Sequence, residues 1–277
     1  MVEEKKEIKK GAKKKEKENL ALVLSGGGAR GMAHIGVLKV LGKNNIVPNV
    51  IIGTSAGSMV GGMYAAGKLA EFEKILTSKN QREIKKIAAF RPHEGGLINP
   101  DRFEKEIRKL IGNKKIEELD KRYFSTAVDL LSGKEVWIDK GDLCQAILAS
   151  SSIPLLLPPV KKDGMLLVDG GLQNPLAVDA GFKLANKVIA ISIERSLEKM
   201  PKKEKYGFSD IAERALTILQ GEIVENALKK HKKNLVIIRI EVNMDTVDFH
   251  KAKEAIEIGE KETEKHIEEI KKLVLAE

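Results

Sequence analysis

The stretch from Asn19 to Ser55 constrains the fold more than any other part of this chain. An apolar run, NLALVLS, leads into the glycine-rich GGGARG, then into MAHIGVLKVLGKNN, and after Pro48 into a second run, NVIIGTS. Short continuous apolar runs rich in β-branched residues read as buried strands, and the segment joining them has the length and period of a helix. The unit is therefore strand-helix-strand. Two tight, glycine-bearing turns flank it, one after each strand, and both need a physical reason.

The rest of the chain extends the same pattern. Segments 70–89 and 101–111 read as amphipathic helices, the second opened by Asn99-Pro100-Asp101, and together they are expected to cap a site. Strands recur at YFSTAVDLL and KEVWID, joined by Ser132-Gly133, before the helix DLCQAILAS and the proline-rich SSSIPLLLPP, in which Ser150, Ser151 and Ser152 read as a turn. Strands MLLVDGG, KVIAISI and NLVIIRI follow, with helices between and after them. Ala252, Ile256, Ile267, Ile270 and Val274 share a face of a closing helix over 249–274, and 195–206 reads as an exposed loop. Alternating strands and helices predict an α/β fold in three layers, α/β/α, around a mainly parallel central sheet. One domain is expected over 19–277.

Composition narrows the function classes. Residues 1–18, MVEEKKEIKKGAKKKEKE, hold too few apolar side chains to offset the entropy of ordering and read as a disordered, charged tail. The formal charge of +9 suits an anionic surface, but the lysines alternate with glutamates and aromatics make up only 4%, so no nucleic-acid partner is expected. Peripheral contact with an anionic membrane is the role this charge allows. The single cysteine, Cys144, excludes an internal disulfide framework, and no Cys/His cluster has the spacing of a metal site. No metal and no cofactor are expected. LALVLS falls far short of the roughly 18 apolar residues that span a bilayer, so a soluble, cytoplasmic chain is the expectation.

The first turn carries Gly26, Gly28 and Gly31 in a G-x-G-x-x-G pattern between strand and helix, the context of a dinucleotide-binding loop. That reading requires an acidic residue about 20 positions on, to hold a ribose hydroxyl. From Gly31 to Ala70 there is no Asp or Glu. The loop's general property survives: free amides at a helix N-terminus offer donors and positive potential to an anion, and a transient oxyanion serves as well as a phosphate.

The second turn, Gly53-Thr54-Ser55-Ala56-Gly57, is G-x-S-x-G at a strand-to-helix junction, the setting of a nucleophile elbow. A sharp elbow projects the serine oxygen while strand and helix close together, and glycine two positions either side relieves the crowding. The N–H of Ala56 is then placed to join those of Gly27 and Gly28 in an oxyanion hole. Gly61, Gly62, Ala65 and Ala66 keep the following helix slim enough to pack closely on the sheet.

A serine hydroxyl needs a base. Of His34, His93, His231, His250 and His266, the first lies within the first helix, His231 and His266 lie in charged helical segments and read as solvent-exposed, and His250 after the last strand is the best candidate for a three-membered triad. The competing base is Asp169, at the end of an apolar strand and followed by two glycines.

Taken jointly, Gly26-Gly27-Gly28-Ala29-Arg30-Gly31, Gly53-Thr54-Ser55-Ala56-Gly57 and Asp169-Gly170-Gly171 resemble, in order, the three signatures of the patatin-like phospholipases. ASSSIPLLLPPV at 149–160 and Asn174-Pro175 add to the likeness, which covers about 20–195; beyond it no family signature is present. The resemblance implies a patatin-like fold and a lipid ester as substrate. It makes Ser55 the acyl-accepting nucleophile, Asp169 the base of a Ser-Asp dyad, and Gly26, Gly27 and Gly28 the oxyanion loop, with Arg30, Gly31, Gly53, Gly57, Gly170 and Gly171 supporting the motifs. An aspartate with an ordinary pKa near 4 is a poor base at neutral pH, so burial or a contact with the serine has to help it. A histidine-dependent esterase and a non-catalytic protein binding a nucleotide or acyl lipid through the glycine loop are the alternatives.

Overall fold

The computed structural model describes residues 18–78, 90–93, 96–98, 100–194, 205–231 and 233–276. The opening unit is β1 (Glu18–Leu24), a 3-10 turn at Gly28–Met32, α1 (Ala33–Lys43) and β2 (Val50–Thr54). Glu18, read as the end of the tail, is the first residue of β1; residues 1–17 lie outside the described residues. After β2 come α2 (Ala56–Ala65), α3 (Leu69–Ser78), the small hairpin β3 (Phe90–His93) and β4 (Gly96–Ile98), and α4 (Pro100–Ile111). The expected helix over 70–89 is seen as far as Ser78, and 79–89 lie outside the described residues. Pro100 opens α4, where its missing N–H leaves no bond unmade.

The second half supplies β5 (Arg122–Asp129), β6 (Lys134–Ile138), α5 (Leu143–Ser151), β7 (Val160–Lys162), β8 (Met165–Asp169), α6 (Val178–Leu184) and β9 (Ala185–Glu194). It ends with α7 (Phe208–Leu228), β10 (Leu235–Glu241) and α8 (Ala252–Leu275). The hairpin β3–β4 and the strand β7 are additions to the sequence reading, being three or four residues long and too short to show a period, while β8 is the strand read at MLLVDGG. Most of the stretch read as an exposed loop, 195–204, lies outside the described residues.

The main sheet runs β10-β9-β1-β2-β5-β8-β7, with β6 also paired to β5. The five strands from β10 to β5 are parallel, while β6, β7 and β8 join antiparallel. Alternation along the strands sends Leu22, Leu24, Ile51 and Tyr123 to one face, into a core shared with α1, α2, α5 and α8. Val23, Val50, Ile52 and Phe124 face the other side and pack with α6 and with Val224 and Leu228 of α7. This is the expected three-layer α/β/α arrangement with a mostly parallel sheet. The turns after β1, β2 and β8 converge, because the register sets Leu24 beside Gly53, Thr54 beside Thr126, and Ala127 beside Asp169. No helix among the described residues is long and apolar enough to cross a membrane.

Candidate active site

Ser55 sits between β2 and α2 with φ 55° and ψ −120°. Such a conformation costs a non-glycine residue of order 1–3 kcal/mol, so the surroundings must impose it. They do so by packing and by hydrogen bonds. A Cβ on Gly53 would stand 2.4 Å from the backbone of Ser58, and one on Gly57 would stand 2.3 Å from the Leu24 carbonyl oxygen. Strand and helix therefore close to a distance that only glycine permits. The Ser55 N–H donates to Ser150 Oγ at 2.8 Å, and the Ser151 hydroxyl donates to the Ser55 carbonyl at 3.4 Å.

The three serines of α5 and its end are thus buried braces rather than a simple turn. Ser152 completes the set: its carbonyl accepts the Asp169 N–H at 3.0 Å, which ties the end of α5 to the end of β8. The sequence signal was three consecutive serines closing an apolar helix. Hydroxyls in such a place are buried and need partners, and the partners here are the elbow and its neighbours.

The glycine loop reaches the same point from β1. Gly31 packs on Ala56, with an ideal Cβ falling 2.4 Å from that of Ala56. The Ala29 N–H donates to the Thr246 carbonyl at 2.8 Å, and the buried Arg30 guanidinium donates to the Met244 carbonyl at 2.9 Å. Among the described residues no protein acceptor takes the N–H of Gly27, Gly28 or Ala56. Gly26 corrects the expected donor set: its N–H is taken by the Pro175 carbonyl at 3.1 Å, which leaves it a role in anchoring the loop.

Asp169 closes β8 with only 5% of its surface exposed. Its Oδ1 accepts the Gly171 N–H at 2.7 Å, while Gly170 lies against Thr126. Thr126 in turn shares a 2.7 Å hydrogen bond with Thr54, and Thr54 donates to the Asn174 carbonyl at 3.0 Å, so the elbow and the aspartate loop are laced together. Burial pushes the Asp169 carboxyl up from 3.8 to about 6, against the opposing pull of hydrogen bonds from the Ser55 hydroxyl and the Gly171 N–H. Asp169 is therefore a buried carboxyl facing the elbow serine.

The described histidines stand elsewhere. His34 is fully buried under the loop, Nε2 2.9 Å from the Ser25 carbonyl, and burial lowers it to about 4. His231, expected in a solvated helix, follows α7, is half-buried, stacks on Phe182 and contacts Asp179. His266 lies 3.3 Å from Glu269 on α8. His250 sits 3.9 Å from Asp248 in the turn before α8. None of these four lines a cavity at Ser55, and the His93 side chain lies outside the described set.

Two cavities meet at Ser55. A wide one of about 1020 Å³ opens over the ends of β1 and β9 beneath α7, and Asp169, Gly171, Gln220 and Arg239 line it. A narrow one of about 160 Å³ runs between α2, α3 and α4 and is lined by Met59, Met63, Ile75, Phe103, Ile107 and Leu110. The helices expected to cap a site are therefore two of its apolar walls. No cluster of His, Cys, Asp or Glu suited to a metal ion occurs among the described residues.

A family model described as patatin-like phospholipase matches residues 22–181, and that span carries all three turns. The chain belongs to the patatin-like phospholipase family. An uncharacterized NTE family protein of Mycobacterium tuberculosis is 40% identical over 179 residues, covering 64% of this chain and 49% of that protein. Patatin-like phospholipase domain-containing protein 6 of Mus musculus is 34% identical over 185 residues, covering 63% of this chain and 13% of that protein. The chain thus spans about half the length of the mycobacterial relative and a small part of the mouse one. Among solved structures, VipD from Legionella pneumophila aligns over 92% of this chain and 67% of that one, with 13% identity and a TM-score of 0.48. The match of this patatin-like chain to its family ends at residue 181, before β9, α7, β10 and α8.

Proposed function

We propose that this chain is a lipid acyl hydrolase that cleaves carboxylic esters through an acyl-serine intermediate, with Ser55 as nucleophile and Asp169 as its base. The observation that carries the proposal is the pairing of a strained, buried serine hydroxyl with a buried aspartate whose carboxyl is raised to about 6. Ser55 Oγ attacks the ester carbonyl carbon as its proton passes to the Asp169 carboxylate. The carbonyl oxygen becomes an oxyanion, facing the N–H groups of Gly27, Gly28 and Ala56, and each such donor is worth roughly 3 kcal/mol to the barrier. Collapse breaks the bond to the leaving alcohol, which takes the proton from Asp169. Water then attacks the acyl-serine, giving its proton to Asp169, and the second collapse returns that proton to Ser55 and releases the fatty acid. Family membership supports lipid as the substrate class.

The test is labelling with a fluorophosphonate and mapping of the adduct by mass, alongside turnover of Ser55→Ala, Asp169→Asn and His250→Ala. We expect the adduct on Ser55, loss of nearly all turnover in the first two variants, and turnover close to that of the parent in the third. Loss in His250→Ala with activity kept in Asp169→Asn assigns the base to histidine instead. An unlabelled Ser55 in a folded protein removes the hydrolase reading.

A further inference from the structure

The two cavities share only a few walls. Gly28 and Ser55 lie where they meet, and Ile153, Leu156, Thr246 and Val247 line both and form the partition. Thr246 and Val247 belong to the loop between β10 and α8, outside the family-matched span. This loop is fixed to the reacting centre: the Thr246 and Met244 carbonyls hold Ala29 and Arg30 of the glycine loop, and Gly28 lies directly against Thr246.

The cavities differ in the one respect that an ester with two unlike halves requires. Asp169, which hands its proton to the departing alcohol, lines the wide cavity and is absent from the walls of the narrow slot. The wide cavity also presents Gln220, Glu222 and Arg239, groups that suit a polar alcohol moiety. The slot has almost wholly apolar walls, and it follows α2 from Ala56 through Met59 to Met63, a rise of about 10 Å along the helix. A chain of methylenes leaving the carbonyl carbon at Ser55 meets hydrophobic surface all along that path. Each buried methylene contributes favourably to binding.

Resting on the hydrolase reading, we infer that the acyl chain of the substrate occupies the slot between α2, α3 and α4, the leaving alcohol occupies the wide cavity, and Val247 is the specificity-determining residue at their partition. Val247 is 47% exposed, so its side chain can change with little effect on the core. The contacts that hold the glycine loop come from backbone carbonyls of residues 244 and 246, so they persist when the side chain at 247 is replaced. A larger side chain there narrows the slot mouth and leaves the oxyanion donors in place.

The experiment compares labelling rates for an ethyl and a hexadecyl fluorophosphonate with the full chain, Val247→Trp and, at the slot wall, Leu110→Trp. Both variants should slow the hexadecyl probe by about tenfold or more, the scale on which an apolar pocket discriminates by chain length, while the ethyl probe stays within about twofold. Esters of butyrate and palmitate should show the same split, with the palmitate KM rising and the butyrate kcat preserved. Equal slowing of both probes, or an unchanged hexadecyl rate in both variants, overturns the slot assignment while Ser55 remains the nucleophile. If neither probe labels Ser55 in the parent chain, the hydrolase reading falls and this assignment falls with it.

Discussion

Asp169 and His34 are both buried and respond to pH in opposite senses. The Asp169 carboxyl is raised by burial from 3.8 to about 6, so its contribution to stability is fully present below 3.8 and is lost as pH rises through 6. Burial lowers His34 from 6.5 to about 4, so its contribution is present above 6.5 and is lost as pH falls through 4. Each displacement of about two pH units corresponds to roughly 3 kcal/mol, and the two nearly cancel across the weakly acidic range. Asp169→Asn removes one of the pair while Oδ1 still accepts from Gly171. In urea unfolding this variant should exceed the parent by about 2–3 kcal/mol at pH 8 and lose stability more steeply towards pH 5. A variant less stable than the parent at pH 8 rejects the account of Asp169 as an ion held at a cost. For the parent, kcat/KM should fall as pH drops through about 6, because the base then holds its proton. Residue type and spacing placed Ser55 and Ala56 at the turn between β2 and α2, and Asp169 at the end of β8, from the chain alone. The raised carboxyl was not legible there, because burial is a property of β8 meeting β5. The Gly26 amide was misread for the same reason, since its acceptor lies about 150 positions away at Pro175.

At the scale of elements, the strand-helix-strand opening was legible because period and length agreed, whereas the role of α8 was visible only in part. Its apolar face was readable, but not its partner. Gly36 of α1 and Gly259 of α8 lie where the two helices touch: an ideal Cβ on Gly36 would fall 2.2 Å from the Ile256 carbonyl oxygen, and one on Gly259 would fall 2.1 Å from that of Ala33. A helical glycine ordinarily gains about 1 kcal/mol when replaced by alanine. At Gly259 the sign should reverse, with Gly259→Ala losing about 1–3 kcal/mol as the helices are forced apart. Gly221, inside α7, has no atom within 4 Å of its would-be Cβ, and Gly221→Ala should show the ordinary gain. Denaturant midpoints of the two variants give the comparison directly, and a stabilised Gly259→Ala contradicts the close crossing. The crossing bears on the site, because α1 continues from the glycine loop and α8 continues from the loop that carries Val247. A loosened pair should therefore also lower the discrimination between long and short acyl esters.

Across the whole molecule, the net charge of the chain and that of the cavity walls have opposite signs. Residues 1–17 hold eight lysines and four glutamates, so +4 of the formal +9 belongs to them and +5 to the rest of the chain. The wide cavity tends the other way, with Glu194, Glu222, Glu225, Glu241 and Asp245 on its walls against Arg30 and Arg239. On the proposed function, attraction to an anionic bilayer and admission of a head group are expected to be distinct events governed by different residues. Attraction should be long-ranged and sensitive to salt, since the Debye length is about 10 Å at 0.1 M and about 3 Å at 1 M. The expected result in vesicle sedimentation is stronger binding to anionic than to neutral lipid at low salt, with the difference reduced by deletion of residues 1–17 and abolished at high salt. Turnover per bound enzyme should follow a different order. Substrates with a neutral or cationic alcohol moiety should be cleaved faster than anionic ones, and Glu222→Gln, which removes one carboxylate from the cavity wall, should narrow that gap and leave vesicle binding unchanged. Equal binding to both vesicle types at every salt concentration removes the electrostatic attraction. A preference for anionic substrates that survives at high salt contradicts the reading of the cavity, because bulk charge is then screened and only the wall remains to discriminate.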